Sequence, residues 1–192
     1  GAVILLGRAG RHALVITSDG RSATLAASKL LLRQGIDRLE FVLYTGESAD
    51  LETGRAMLEE RVLADRWLTF AEDDETAFSD GTAADFWNDC RIERYAGWAR
   101  LLIGETRLLL CPAEGDVALL PPDWRQTNAV IFAGSVPQHV TALNARRGVL
   151  VCRPEVLPVL TRSVPWGVYP ISLTTEVETV RLMTRGRGDT QD

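Results

Sequence analysis

Apolar residues fall in short blocks whose spacing switches between two and about three and a half, and the switches mark the elements. Ala2–Leu6 and His12–Thr17 read as two strands joined by the turn Gly7-Arg8-Ala9-Gly10, a hairpin signal. Ser22 then stands as N-cap to a helix over Ala23–Gln34, with leucines at 25, 30, 31 and 32 and Gly35 as its C′ residue. Ile36–Tyr44 carries the next strand. A helix over Leu51–Arg61 follows, with Met57 and Leu58 on its buried face, and then a short strand over Arg66–Phe70.

The acidic stretch Glu72-Asp73-Asp74-Glu75 and the turn residues Ser79-Asp80-Gly81-Thr82 interrupt the pattern as an exposed loop. Strands resume over Cys90–Tyr95 and Trp98–Leu102, and Gly104-Glu105 leads into another over Thr106–Cys111. Beyond Pro121-Pro122 the pattern predicts a strand at Ala129–Phe132, a helix at Gln138–Leu143, a strand at Gly148–Cys152 and a helix at Pro154–Thr161. Glu176–Thr184 is a last strand, and residues 185–192 form a polar tail. Hairpins followed by alternating strands and helices suggest an α/β fold of two mixed sheets with outer helices. Periodicity alone does not separate that arrangement from an open doubly wound sheet.

Composition narrows the classes. At 192 residues, one domain over residues 1–184 buries about 70% of the surface of its unfolded chain. The net charge of -5 argues against a protein whose main work is gripping phosphates electrostatically. Lys29 is the only lysine, so arginine carries nearly all positive charge. Cys90, Cys111 and Cys152 are far apart with no metal-type spacing, which fits buried small hydrophobes better than a site. No apolar run approaches the ~20 residues of a membrane helix. The abrupt entry into a strand at Gly1 suggests a piece of a longer protein.

Several groups of residues invite a chemical reading. Glu47, Asp50 and Glu52 could hold a hard cation through oxygen ligands, although carboxylates at a helix start are accounted for by the helix dipole alone. Gly46-Glu47-Ser48-Ala49-Asp50 partly matches a nucleophile elbow, and fails at its last position. Cys111 sits at a strand end. Arg91, Arg94 and Arg100 interleave with Tyr95 and Trp98, a combination suited to single-stranded nucleic acid through stacking and phosphate contact; solvated strand faces place arginine in the same way. Arg146-Arg147 adds charge near a strand start. Arg187-Gly188-Asp189 needs no explanation beyond chance.

The passage from Thr45 to Gly54 resembles the signature Thr-His-x-His-x-Asp-His-x-x-Gly of the metallo-β-lactamase fold: Thr45, Asp50 and Gly54 match, while Gly46, Ser48 and Leu51 stand at the histidine positions. The likeness extends along the chain. Gly1-Ala2-Val3-Ile4-Leu5-Leu6, Ala13-Leu14-Val15-Ile16 with Asp19-Gly20, and Leu31 to Leu43 with Gly35-Ile36 resemble the soluble domain of ComEC-type competence proteins. Leu108-Leu109-Leu110-Cys111-Pro112-Ala113 puts Ala113 at a metal-bridging aspartate, and Phe132-Ala133-Gly134-Ser135 keeps only Gly-Ser of a His-His-Gly-Ser motif.

The resemblance implies a four-layer α/β/β/α sandwich of the metallo-β-lactamase type. It also implies a setting: a soluble domain on the extracytoplasmic face of a membrane protein that passes single-stranded DNA into the cell. Its partners would be the membrane channel portion of the same protein and single-stranded DNA. A dinuclear zinc site of this fold takes about five histidines. This chain has two, His12 and His139, at neither position. No metal or other cofactor is therefore expected. The leading reading is a catalytically inactive binding or structural module. The alternatives are a hydrolase with a rebuilt site among Glu47, Ser48, Asp50, Asp19 and Cys111, and a pure interaction domain.

Overall fold

The computed structural model describes residues 2–8, 10–17, 20–46, 48–70, 76–86, 90–112, 114–132, 136–152, 164 and 166–172. The predicted strand Glu176–Thr184, the helix Pro154–Thr161, the acidic residues 72–75 and the tail lie outside them. The chain divides into two compact units, Gly1–Ser79 and Asp80–Asp192.

The first unit opens with strands β1 (Ala2–Arg8) and β2 (Arg11–Thr17), paired antiparallel as the hairpin signal predicts. Helix α1 (Gly20–Gln34) begins earlier than expected, so Ser22 lies inside its first turn rather than capping it. Its end follows the sequence closely. Gly35 takes φ 67°, its N–H donates to Leu32 O at 3.2 Å, and the N–H of Ile36 donates to Leu31 O at 3.0 Å. That pair of bonds is the Schellman motif, and Ile36 packs into the cluster that contains Leu31.

The predicted strand Ile36–Tyr44 is two strands, β3 (Arg38–Leu39) and β4 (Phe41–Tyr44). Glu40 separates them: its N–H donates to His12 O at 2.8 Å, and its carboxylate pairs with Arg11. Helix α2 (Ser48–Glu59) is followed by β5 (Leu63–Ala64), absent from the sequence reading, and β6 (Trp67–Thr69). The main sheet runs β1-β2-β4-β6, with β2, β4 and β6 parallel, and β3 pairs with β5 apart from it. Ala23, Ala27 and Leu31, spaced by four, set one face of α1 against Leu14, Ile16, Val42 and Tyr44 of the sheet. The small alanines let the helix lie close. Ala13, Val15, Phe41 and Leu43, on the other face of the same strands, are buried too.

Among the described residues the second unit forms one seven-stranded sheet in the order β13-β12-β11-β10-β9-β8-β7. Its strands are β7 (Ala83–Phe86), β8 (Cys90–Tyr95), β9 (Trp98–Ile103), β10 (Thr106–Cys111), β11 (Gln126–Phe132), β12 (Asn144–Cys152) and β13 (Val168–Ser172). β7 to β10 form an antiparallel meander, and β10 to β13 are parallel. β7 and β13 were not foreseen. β13 contains Pro170, which removes a ladder donor and is tolerated on this strand because it pairs through β12 at the end of the sheet order.

The helix predicted over Gln138–Leu143 is a 3₁₀ turn at Val140–Ala142. Gln138 is held extended by the neighbouring loop, donating to Gly115 O at 2.8 Å and accepting from the N–H of Val117 at 3.1 Å, and His139 takes a left-handed φ of 52°. Backbone groups committed sideways cannot enter an α-helical ladder. Among the described residues no helix is long and apolar enough to cross a membrane.

The β8–β9 hairpin turns through Ala96 and Gly97, at φ 48° and 76°. Both positive values suit a two-residue primed turn, where glycine is easy and alanine costs about 1–2 kcal/mol. Replacing Ala96 with glycine trades that strain against unfolded-chain entropy, and is expected to raise stability by about 0.5 kcal/mol. Gly35→Ala at α1 should lower it by about 1 kcal/mol. Urea midpoints of the two variants should move in opposite directions.

Candidate functional site

The passage that carries the motif frame is a strand-to-helix turn, as expected. β4 ends at Tyr44. The N–H of Thr45 still donates to Ile16 O at 3.0 Å, Gly46 bends, and α2 starts at Ser48. Ser48, Asp50 and Leu51 therefore stand in the first turn of α2. Their side chains, and all of Glu47, Asp19, Ala113, Gly134 and Ser135, lie outside the described residues.

Gly46 is explained by its neighbour. A Cβ at this position would come within 2.6 Å of the Tyr44 hydroxyl and 2.7 Å of the ring carbon that bears it. Tyr44 is 2% exposed and belongs to the helix-side core, so its ring cannot swing clear cheaply. The space where a side chain at 46 would begin is occupied by the phenol. The zinc centre typical of the fold that the sequence resembles does not fit these residues: glycine and leucine have no donor atom, a neutral serine hydroxyl is a poor one, and Gly46 has no room for an imidazole. No group of three or more histidine, cysteine, aspartate or glutamate side chains is arranged to hold a metal among the described residues.

The two histidines are far apart in the chain, one in each unit. His12 pairs across the first hairpin with Gly7. His139 meets Asp116, its Nδ1 2.8 Å from the carboxylate. The same Asp116 oxygen accepts the N–H of Ala118 at 2.8 Å, and these two bonds, the backbone one first, hold its pKa below the ordinary value. The pair fastens the loop after β10 to the loop after β11, and nothing in the sequence signalled it.

Cys111 is buried at the end of β10, with Sγ 3.2 Å from Pro112 O. Burial pushes its thiol up to about 12, so it stays protonated and is no nucleophile at neutral pH.

The arginine and aromatic group is brought together, but around its own carboxylates. Glu93 and Arg100 face each other across the hairpin, with Arg100 Nε donating to Glu93 at 2.7 Å. Arg100 also pairs with Asp123 at 2.8 Å and lies 4.3 Å over the Trp124 ring, and Tyr95 packs tilted on that same indole at 5.8 Å. The bond from Arg100 holds the Asp123 pKa low. Arg91 bonds Glu93 at 3.0 Å and Asp85 at 3.3 Å, and Arg94 lies 3.8 Å from Asp80.

Three guanidiniums thus meet four carboxylates, which leaves no excess positive charge here. Trp98 is wholly buried in the apolar core with Leu109, Val130 and Phe132, and offers no ring face to a base. The pairs Arg91/Leu102, Glu93/Arg100 and Tyr95/Trp98 were legible once a two-residue turn at 96–97 is assumed. Asp123 and Trp124 were not, because they arrive from a loop.

No family model and no curated protein matches the sequence. One solved structure, described as a new diphosphatase from the PhnP family, superposes with a TM-score of 0.47 at 10% identity, over 93% of this chain and 84% of that one. A TM-score below 0.5 at this identity assigns neither a fold family nor an activity.

Two outcomes test this description. Truncating Arg100 to alanine leaves Glu93 half-buried without one of its partners, and should cost about 2 kcal/mol in urea unfolding. The thiol gives a pH dependence. Above about pH 9 the unfolded chain loses the Cys111 proton and the folded chain keeps it, so stability should decline from there towards pH 12. Cys111→Ala should flatten that decline; an unchanged alkaline slope would contradict the buried thiol.

Proposed function

We propose that residues 1–184 form a metallo-β-lactamase-like domain, a four-layer α/β/β/α sandwich, that has lost its metal centre. It serves as a structural or binding module of a ComEC-type DNA-uptake protein. The observation that carries the inactive reading is the Tyr44–Gly46 contact. The histidine position next to β4 is more than vacated; its space is filled by a core side chain. The sandwich is supported by strands buried on both faces, Leu14 and Ile16 on one side of β2 and Ala13 and Val15 on the other. The competence setting, the membrane channel portion as partner and the extracytoplasmic placement come from the motif resemblance.

A second reading, a divergent hydrolase, draws on the Asp116–His139 pair, in which a carboxylate orients an exposed imidazole at the carboxyl ends of parallel strands. Single-stranded DNA along Arg91, Arg94, Tyr95 and Arg100 would have to displace the carboxylates those arginines already hold. That makes this strip the weaker choice for a DNA contact.

The test is metal content together with nuclease activity, with zinc and manganese supplied, on single- and double-stranded DNA. The inactive reading expects neither bound metal nor cleavage. Cleavage lost on Asp50→Ala or His139→Ala would establish the hydrolase instead. The variant Gly46→His should not acquire zinc, and should unfold at lower urea by about 1–3 kcal/mol because its Cβ strikes Tyr44.

A further inference from the structure

Two arginines with no carboxylate partner among the described residues, Arg107 and Arg146, lie elsewhere on the second unit. Leu108 pairs with Ala129 between β10 and β11, and Thr127 and Ala129 pair with Ala145 and Arg147 between β11 and β12. By that register Arg107, Asn128 and Arg146 stand in one row across three adjacent strands, on one face at their amino-terminal ends. Neighbouring strands are about 4.8 Å apart, so Arg107 and Arg146 flank Asn128 at roughly 10 Å from each other.

Arg107 and Arg146 are exposed, and neither forms an ion pair among the described residues. Asn128 is orientated by its own bond. Its Oδ1 accepts the backbone N–H of Arg107 at 2.8 Å, so that atom must be the oxygen and the amide NH₂ is left to donate. The row therefore presents two guanidiniums and an amide donor. Glu105 lies in the turn before β10, and Asp123 in the turn before β11. Asp123 is engaged by Arg100 and also feels the field of Arg107.

We propose that this row is an oxyanion site for a phosphate group, held between the Arg107 and Arg146 guanidiniums with Asn128 Nδ2 donating beneath them. Arginine forks match phosphate geometry, and the amide NH₂ adds a donor between them. The site rests on reading the domain as a binding module, and it deepens that reading: it places the ligand contact on β10–β12 rather than on the β8–β9 hairpin. Arg147 alternates to the opposite face and serves as the internal control.

The experiment is titration of the isotope-labelled domain with inorganic phosphate at low salt, following the Asn128 side-chain amide and the arginine Nε–H signals. Phosphate should move these resonances. R107Q and R146Q should each weaken the response at least about fivefold, a typical loss for one charge-assisted contact. R147Q should leave it unchanged, and all three variants should keep the wild-type melting temperature.

Acetate at matched ionic strength is the comparison. An equal response to acetate, an equal loss in R147Q, or no difference between wild type and the double variant R107Q/R146Q would each overturn the site. A response to phosphate alone identifies a free anion, and tighter binding of a short oligothymidylate identifies phosphate carried on a chain. The readout is independent of catalysis. A metal-loaded, cleaving protein with the same response would sink the inactive reading and leave this site standing.

Discussion

Burial of the central strands on both faces is the constraint from which the rest follows. β2 carries five consecutive buried residues from Ala13 to Thr17, and β4 four from Phe41 to Tyr44. Strands of that kind cannot face water on either side, and each large buried side chain contributes about 1.5–3 kcal/mol. On one face the cover is α1 and α2. Their packing residues, Ala23, Ala27, Leu31 and Leu58, recur at helical spacing, so the two periodicities in the sequence are two halves of one interface. The parallel order β2-β4-β6 then needs crossovers, which those helices supply.

Tyr44 shows how that constraint reaches the candidate site. It is the last residue of β4 and points into the helix-side core, so its ring is held by packing. The turn that follows must pass it, and only a glycine at 46 can do so without a clash. A position that resembles a metal ligand by sequence order is thereby a packing position in the fold. Placing a histidine at 46 would not make a metal site there, because the core residue behind it occupies the space.

Charge is distributed by the same register. Across the β8–β9 hairpin the positive φ values at Ala96 and Gly97 fix which residues face one another, and Glu93 falls opposite Arg100. That neutralises the arginines that looked most like a nucleic-acid strip. At the amino-terminal ends of β10 and β12, Arg107 and Arg146 stand in register with an amide, Asn128, rather than with a carboxylate. Equal residue types thus have different electrostatic roles, decided by the strand partner each is given.

The sequence by itself determined the α/β class, the first hairpin, the Schellman end of α1 at Gly35, the strand-to-helix turn after Tyr44 and most strands of the meander. Each depends on contacts a few residues apart or on periodicity. It also determined that too few histidines exist for a dinuclear zinc centre. Tertiary structure decided the break at Glu40, the extended Gln138 that replaces a helix, the proline-bearing strand β13, and the partners of Arg100 and His139. All of these are set by groups far away in the chain, His12, Gly115, β12, Asp123 and Asp116, whose hydrogen bonds and charges no local pattern records. The filling of the space at Gly46 belongs to both: the glycine is visible in the sequence, and the ring that requires it is fixed only by the core.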